Sequence, residues 1–204
     1  MRIAIVTFDG FNEIDSFVAL NILNRVVAPG WTAEIVSPTE TVDSGNGVRL
    51  TGVKPLERAR DADAVLLGSG RRTARIVDDP ATMDRLKLDP RRQLVGSQCS
   101  GALVLAKLGL TDGIPVCTDR QTRPLVEAAG VRVLDRSFFA SGNVGSAGGC
   151  LAAPYLSAWV IRRLLGRAAA ESALAYVAPA GEHSEFIAGV LAAVEPFVAA
   201  AKVA

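Results

Sequence analysis

Leu94-Val95-Gly96-Ser97-Gln98-Cys99-Ser100-Gly101-Ala102-Leu103 is the stretch on which the fold turns. Leu94-Val95-Gly96 reads as a buried strand, and Ser100 to Leu108 reads as a helix closed by Gly109. So little chain lies between them that the corner must be sharp, and its side chain is thrust outward above the C-terminal edge of the sheet. Cys99 occupies that corner, with Gly96 and Gly101 allowing the close backbone approach that such an elbow needs. The positive end of the following helix is expected to lower the thiol pKa, and backbone N–H groups at the turn can hold an oxyanion. The alternative is a small buried cysteine with no chemistry.

Outward from this corner, β-branched runs alternate with helical patterns, the signature of a parallel sheet covered by helices. Ile3 to Phe8, Thr32 to Ser37 and Ala64 to Leu67 read as parallel strands, with a short strand at Val48 to Thr51 after the turn cluster Asp43-Ser44-Gly45-Asn46-Gly47. Ile14 to Val27 reads as the first helix, ended by Pro29-Gly30, and a polar helical stretch lies around Pro80 to Lys87. Val116 to Thr118, Val131 to Leu134, Phe138 to Ala140 and Val144 to Ser146 are further strands, the last two joined at Gly142-Asn143. The C-terminal third reads as three helices, Ala152 to Leu165, Arg167 to Val177 and Ser184 to about Ala201.

The 204 residues suit one domain, read as 1–204 with no repeat or linker. With 22 basic residues against 21 acidic ones, nothing points to a nucleic-acid partner. No apolar stretch suits a membrane span, and the apolar run before Asp9-Gly10 is too short for a signal peptide, so a cytoplasmic location is expected. Cys99, Cys117 and Cys150, without CxxC spacing, read as reduced thiols, and a single histidine, His183, excludes a metal site built on several histidines.

Four segments together resemble the ThiJ/PfpI superfamily, from Met1 to about Pro179: Phe8-Asp9-Gly10-Phe11-Asn12-Glu13-Ile14-Asp15, Gly68-Ser69-Gly70, Gln98-Cys99-Ser100-Gly101-Ala102-Leu103-Val104-Leu105-Ala106 and Gly142-Asn143-Val144-Gly145-Ser146-Ala147-Gly148-Gly149. The resemblance implies a flavodoxin-like three-layer α/β sandwich, a mainly parallel central sheet with helices on both faces, a cysteine on the nucleophile elbow, and a homodimer. It implies that an acidic side chain after the first strand hydrogen-bonds the cysteine sulfur. In the isocyanide (isonitrile) hydratase branch that residue is an aspartate, and Asp15 falls at the matching place. From the residues alone, Asp15 is equally a helix cap or dipole partner, and Glu13 is its solvated neighbour. Gly70 matches the position whose backbone N–H faces the nucleophile, and Ser100 the small polar residue after it, so both are expected to donate to a developing anion.

The resemblance fails at Asp119, where many members carry a histidine after the strand that follows the elbow. A carboxylate does not match imidazole as base and acid, so protease and amidotransferase readings are weakened. His183 lies beyond the resembling core and reads as a surface residue. Cys117, Cys150, Trp159 and Trp31 read as structural, and Arg71-Arg72 as a solvated charge pair. The expected function is a cofactor-free and metal-free cysteine-dependent hydratase, converting a small isocyanide to an N-substituted formamide. A glyoxalase-like hydratase or hydrolase of small carbonyl compounds, and a non-catalytic redox-sensing or ligand-binding dimer, are the competing expectations.

Overall fold

Along Arg2–Val6 (β1) the side chains alternate between two apolar layers, Ile3 and Ile5 entering one and Ala4 and Val6 the other. A strand buried on both faces belongs in the middle of a helix-covered parallel sheet. The computed structural model describes residues 1–198. After β1 come α1 (Glu13–Leu23), β2 (Thr32–Ser37), β3 (Thr41–Asp43), β4 (Arg49–Thr51), β5 (Lys54–Pro55), β6 (Ala64–Leu67), α2 (Thr73–Ile76), α3 (Pro80–Met83) and β7 (Leu94–Gln98). The chain continues through α4 (Gly101–Lys107), β8 (Val116–Cys117), α5 (Arg123–Ala128), β9 (Val133–Leu134), β10 (Phe138–Ser141), β11 (Val144–Ala147), α6 (Ala153–Leu165), α7 (Arg167–Ala175) and α8 (His183–Val194).

The main sheet runs β10-β11-β7-β6-β1-β2-β5, parallel throughout except for the β10–β11 hairpin. One face is covered by α1, α6, α7 and α8 around Trp159, Leu156 and Ile22; on the other, Val104 and Leu105 of α4 and Leu56 and Ala59 of a 3-10 turn meet Val65, Leu67 and Val95. This is the flavodoxin-like three-layer architecture expected from the sequence. The chain leaves β1 toward β2 on one side and returns to β6 on the other, so a crevice opens between the loops that follow β1 and β6.

Several boundaries differ from the sequence reading. The first helix stops at Leu23 instead of Val27, because the Asn24 side chain turns to exchange two hydrogen bonds with the Ala33 backbone, at 3.0 Å each. The last helix stops at Val194, where Pro196 brings a 3-10 turn over Glu195–Phe197; residues 199 to 201 of the expected helix lie outside the described residues. Around Pro80 to Lys87 only the single turn of α3 forms. The strand β3, which pairs with β4, and the helix α5 carry no clear pattern in the sequence. Trp159 is fully buried, as read, and the Trp31 indole N–H donates to Leu23 O at 2.8 Å. Among the described residues no helix is long and apolar enough to cross a membrane.

Candidate active site

Cys99 sits directly after β7 with φ 47°, the one positive φ outside glycine among the described residues. A left-handed conformation costs a non-glycine residue about 1–2 kcal/mol, so it persists only where the surroundings impose it. Here they do. The Cys99 N–H donates to Ala147 O at 2.9 Å on the neighbouring strand, and its carbonyl accepts from Thr118 Oγ1 at 2.7 Å. Gly101 must lack a side chain, since a Cβ there would lie under 3.0 Å from the Leu67 carbonyl. This is the sharp strand-to-helix elbow expected at Cys99.

The elbow opens into a cleft of about 850 Å3 above the C-terminal ends of the parallel strands, which Cys99, Ser100, Asn12, Ser69, Gly70 and Cys150 help to line. Asp15, in the first turn of α1, reaches toward it from beneath. It is 2% exposed, its Oδ2 accepts a short hydrogen bond from Ser69 Oγ, and its Oδ1 has no partner among the described residues. The helix cap is Asn12, whose side chain accepts from the Ile14 N–H at 3.1 Å, so Asp15 is released from that duty. The ligand atoms of Asp15, Cys99 and Cys150 lie within 4.8 Å of one another, a set that could also hold a thiophilic metal ion.

The electrostatics reverse one expectation. Burial, and then the negative charge of Asp15, push the Cys99 thiol far above the ordinary range, overriding any lowering by the helix end. Burial also raises Asp15, against the hydrogen bond from Ser69. A buried thiol and a buried carboxylate side by side titrate as a coupled pair, in which the thiol is the weaker acid and the Asp15 carboxylate is placed to accept its proton. Asp15 is thereby a stronger base than an ordinary carboxylate.

Gly70 and Ser100 are brought together with Cys99, but in the resting site they engage each other. The Gly70 N–H donates to Ser100 Oγ at 3.1 Å, and that hydroxyl lies 2.8 Å from Thr73 Oγ1. Glu13 is tied by short contact to Ser44 Oγ and by Asn46 Nδ2 at 2.9 Å, with its pKa lowered chiefly by Ser44. Asp119 lines the cleft as a turn former, its Oδ1 accepting from the Gln121 and Thr122 N–H groups at 2.9 Å each. His183 is exposed at the start of α8 and is not part of the cleft wall. Cys117 is packed in β8, as read, with its thiol raised to about 11 by burial.

The sequence suggests a packed, structural Cys150, but the structure puts it at the site. It lies on the cleft wall with Sγ 4.0 Å from Cys99 Sγ; Asn12 Nδ2 donates to its sulfur at 3.0 Å, and Gln98 Nε2 holds its carbonyl at 2.8 Å. The signal available was topological: β11 pairs parallel with β7, placing Ala147 beside Gln98, so the loops after the two strands emerge side by side. Cys99 and Cys150 stand on those loops.

Fold and site together define an α/β protein with a flavodoxin-like sheet and a cysteine at its nucleophile elbow. The chain belongs to the DJ-1/PfpI family, whose sequence profile matches residues 1–163. Among solved structures, it is similar to a ThiJ/PfpI family protein from Pseudomonas syringae, with TM-score 0.78 and 19% identity over 97% of this chain and 89% of that one. A DJ-1 superfamily protein from Salmonella typhimurium, solved as a cysteine-to-alanine mutant, gives TM-score 0.74 and 22% identity over 86% of this chain and 97% of that one. Schizosaccharomyces pombe DJ-1 gives TM-score 0.74 and 14% identity over 88% of this chain and 100% of that one. Comparison by sequence with curated proteins finds no match.

Proposed function

We propose that the protein is a cysteine-dependent hydratase that adds water to a small isocyanide and releases an N-substituted formamide. The observation that carries this reading is the buried Asp15 carboxyl with its free Oδ1 beside the Cys99 thiol, in a cleft whose chemistry has no imidazole to draw on. In this reading Cys99 Sγ attacks the terminal isocyanide carbon while Asp15 takes the thiol proton and returns it to that carbon, giving a thioimidate. Water then adds to the thioimidate carbon, with Asp15 accepting its proton and the nitrogen becoming protonated. The C–S bond breaks, the sulfur regains its proton, and the formamide leaves. No amine departs, so an acid as effective as imidazolium is not required. The Gly70 N–H and Ser100 hydroxyl are assigned to the substrate, exchanging their mutual hydrogen bond for it.

The same reading makes the protein a homodimer with its interface beside the cleft. Leu151, next to Cys150, is 79% exposed, and Ile14, next to Glu13, is 43% exposed, apolar side chains that a second copy would cover. The test of function is a panel of isocyanides, 2-oxoaldehydes and peptide amides offered to the wild type and to Cys99→Ala. Formamide production that disappears in Cys99→Ala supports the hydratase; Cys99-dependent turnover of the aldehydes alone transfers the site to the glyoxalase-like reading.

A further inference from the structure

Cys150 has no part in the hydration chemistry, yet its sulfur stands 4.0 Å from the nucleophile's. A disulfide requires about 2.05 Å, so the two sulfurs need to close by about 2 Å, a distance within reach of a rotamer change at one cysteine. Cys99 is the fixed partner, locked by its bonds to Ala147 and Thr118. Cys150 is the movable one: it opens a 3-10 turn directly after Gly149, at φ 92°, and its sulfur is held by the Asn12 side-chain N–H at 3.0 Å and by the long contact with the Cys99 sulfur itself. Burial and the negative charge of Asp15 raise the Cys150 thiol, and the Asn12 N–H donor works against them by favouring charge on the sulfur.

We propose that Cys99 and Cys150 form a dithiol that reduces hydroperoxides, with Cys99 taking the oxygen and Cys150 resolving the product as a Cys99–Cys150 disulfide. In the first step the Cys99 sulfur bonds the terminal peroxide oxygen and the O–O bond breaks. Asp15 takes the thiol proton and passes it to the departing oxygen, leaving Cys99 as a sulfenic acid and the peroxide as water or an alcohol. In the second, Cys150 Sγ attacks the Cys99 sulfur and the S–O bond breaks. Hydroxide leaves as water with the Cys150 proton. The two thiols supply two electrons, and an external thiol returns the disulfide to the dithiol. The pairing keeps the elbow cysteine from irreversible oxidation.

The experiment treats the full-length protein with a small excess of hydrogen peroxide and reads intact mass and a non-reduced peptide map. Its readout does not depend on whether isocyanides are substrates. Wild type should lose about 2 Da, yield a Cys99–Cys150 linked peptide, and recover its mass with dithiothreitol. Cys117→Ser should give the same linkage. Cys150→Ser should instead carry about 32 Da on Cys99, the sulfinic acid, at the same dose. Wild type that accumulates the sulfinic acid without a linked peptide, or that links through Cys117, would overturn the proposal.

Discussion

Gly70→Ala places one methyl group where three strand-end loops meet, and its cost can be worked from the geometry. A Cβ at Gly70 would lie 2.6 Å from Gly10 O, 2.9 Å from the Phe11 Cα and 3.0 Å from Gly10 C, all backbone atoms, whereas ordinary contact begins at 3.4 Å. The loops after β1 and β6 must therefore part by most of an ångström. They are joined by the Arg71 N–H to Gly10 O and the Asn12 N–H to Ser69 O bonds, each at 2.9 Å. Overpacking of this kind costs about 1–3 kcal/mol, and weakening the two hydrogen bonds adds about 1 kcal/mol. Taking about 3 kcal/mol, Tm should fall by roughly 6–12 °C for a chain of this size. Turnover should fall further, because Ser69 moves with the loop and carries its bond to Asp15. Gly109→Ala is the control: its φ is +69° but nothing lies within 4 Å, so only the left-handed cost of about 1–2 kcal/mol applies, with turnover unchanged. Thermal unfolding followed by circular dichroism, with turnover measured on the same samples, decides it. A Gly70→Ala variant as stable as Gly109→Ala, with wild-type turnover, would refute the loop geometry on which the site rests.

Asp15→Asn should lower kcat by about 10²–10⁴-fold while the fold persists, since the amide cannot accept the thiol proton. Because the folded-state pKa of Asp15 is raised, the folded chain binds the extra proton between the unfolded and folded values, and stability declines as pH rises through that window. Asp15→Asn should remove this decline, so its Tm gain over wild type should grow as pH rises above the ordinary carboxylate value of about 4; a constant difference would show that Asp15 is not buried as a charge. Wild-type kcat/KM should fall on the acid side at a pH above the usual carboxylate value of about 4, as the carboxylate becomes protonated. Leu151→Asp should shift sedimentation from dimer to monomer; a wild-type monomer would refute the assembly. Purified peptides should remain uncut, and Cys99-dependent cleavage at enzymatic rates would contradict the chemistry drawn from Asp119.

Much of this was legible before any coordinates because each strand of the parallel sheet carries its own signal. Thr32–Ser37 and Ala64–Leu67 have the bounds read from their apolar runs, and the Cys99 corner follows from a strand and a helix with almost nothing between them. Elements lacking a local signal were not legible. β5 is two exposed residues that pair only because β2 offers an edge, and α5 begins where Asp119 captures two backbone N–H groups. The site divides in the same way. Cys99 and Asp15 belong to motifs near strand ends, whereas the meeting of Cys99 with Cys150, 51 positions apart, depends on which strands pair. The thiol's ionisation is hidden for a related reason: a helix end is visible in sequence, but the burial and the nearby carboxylate that raise the Cys99 thiol are properties of the packed fold.

The most direct test of the account is a rapid-quench experiment with wild type and a small aryl isocyanide, following the intact protein mass and the released product together. The account predicts a transient adduct of one isocyanide on Cys99 that decays as the N-aryl formamide appears, with neither adduct nor formamide in Cys99→Ala. Formamide released at the wild-type rate by Cys99→Ala, or wild type that yields no formamide, would contradict it.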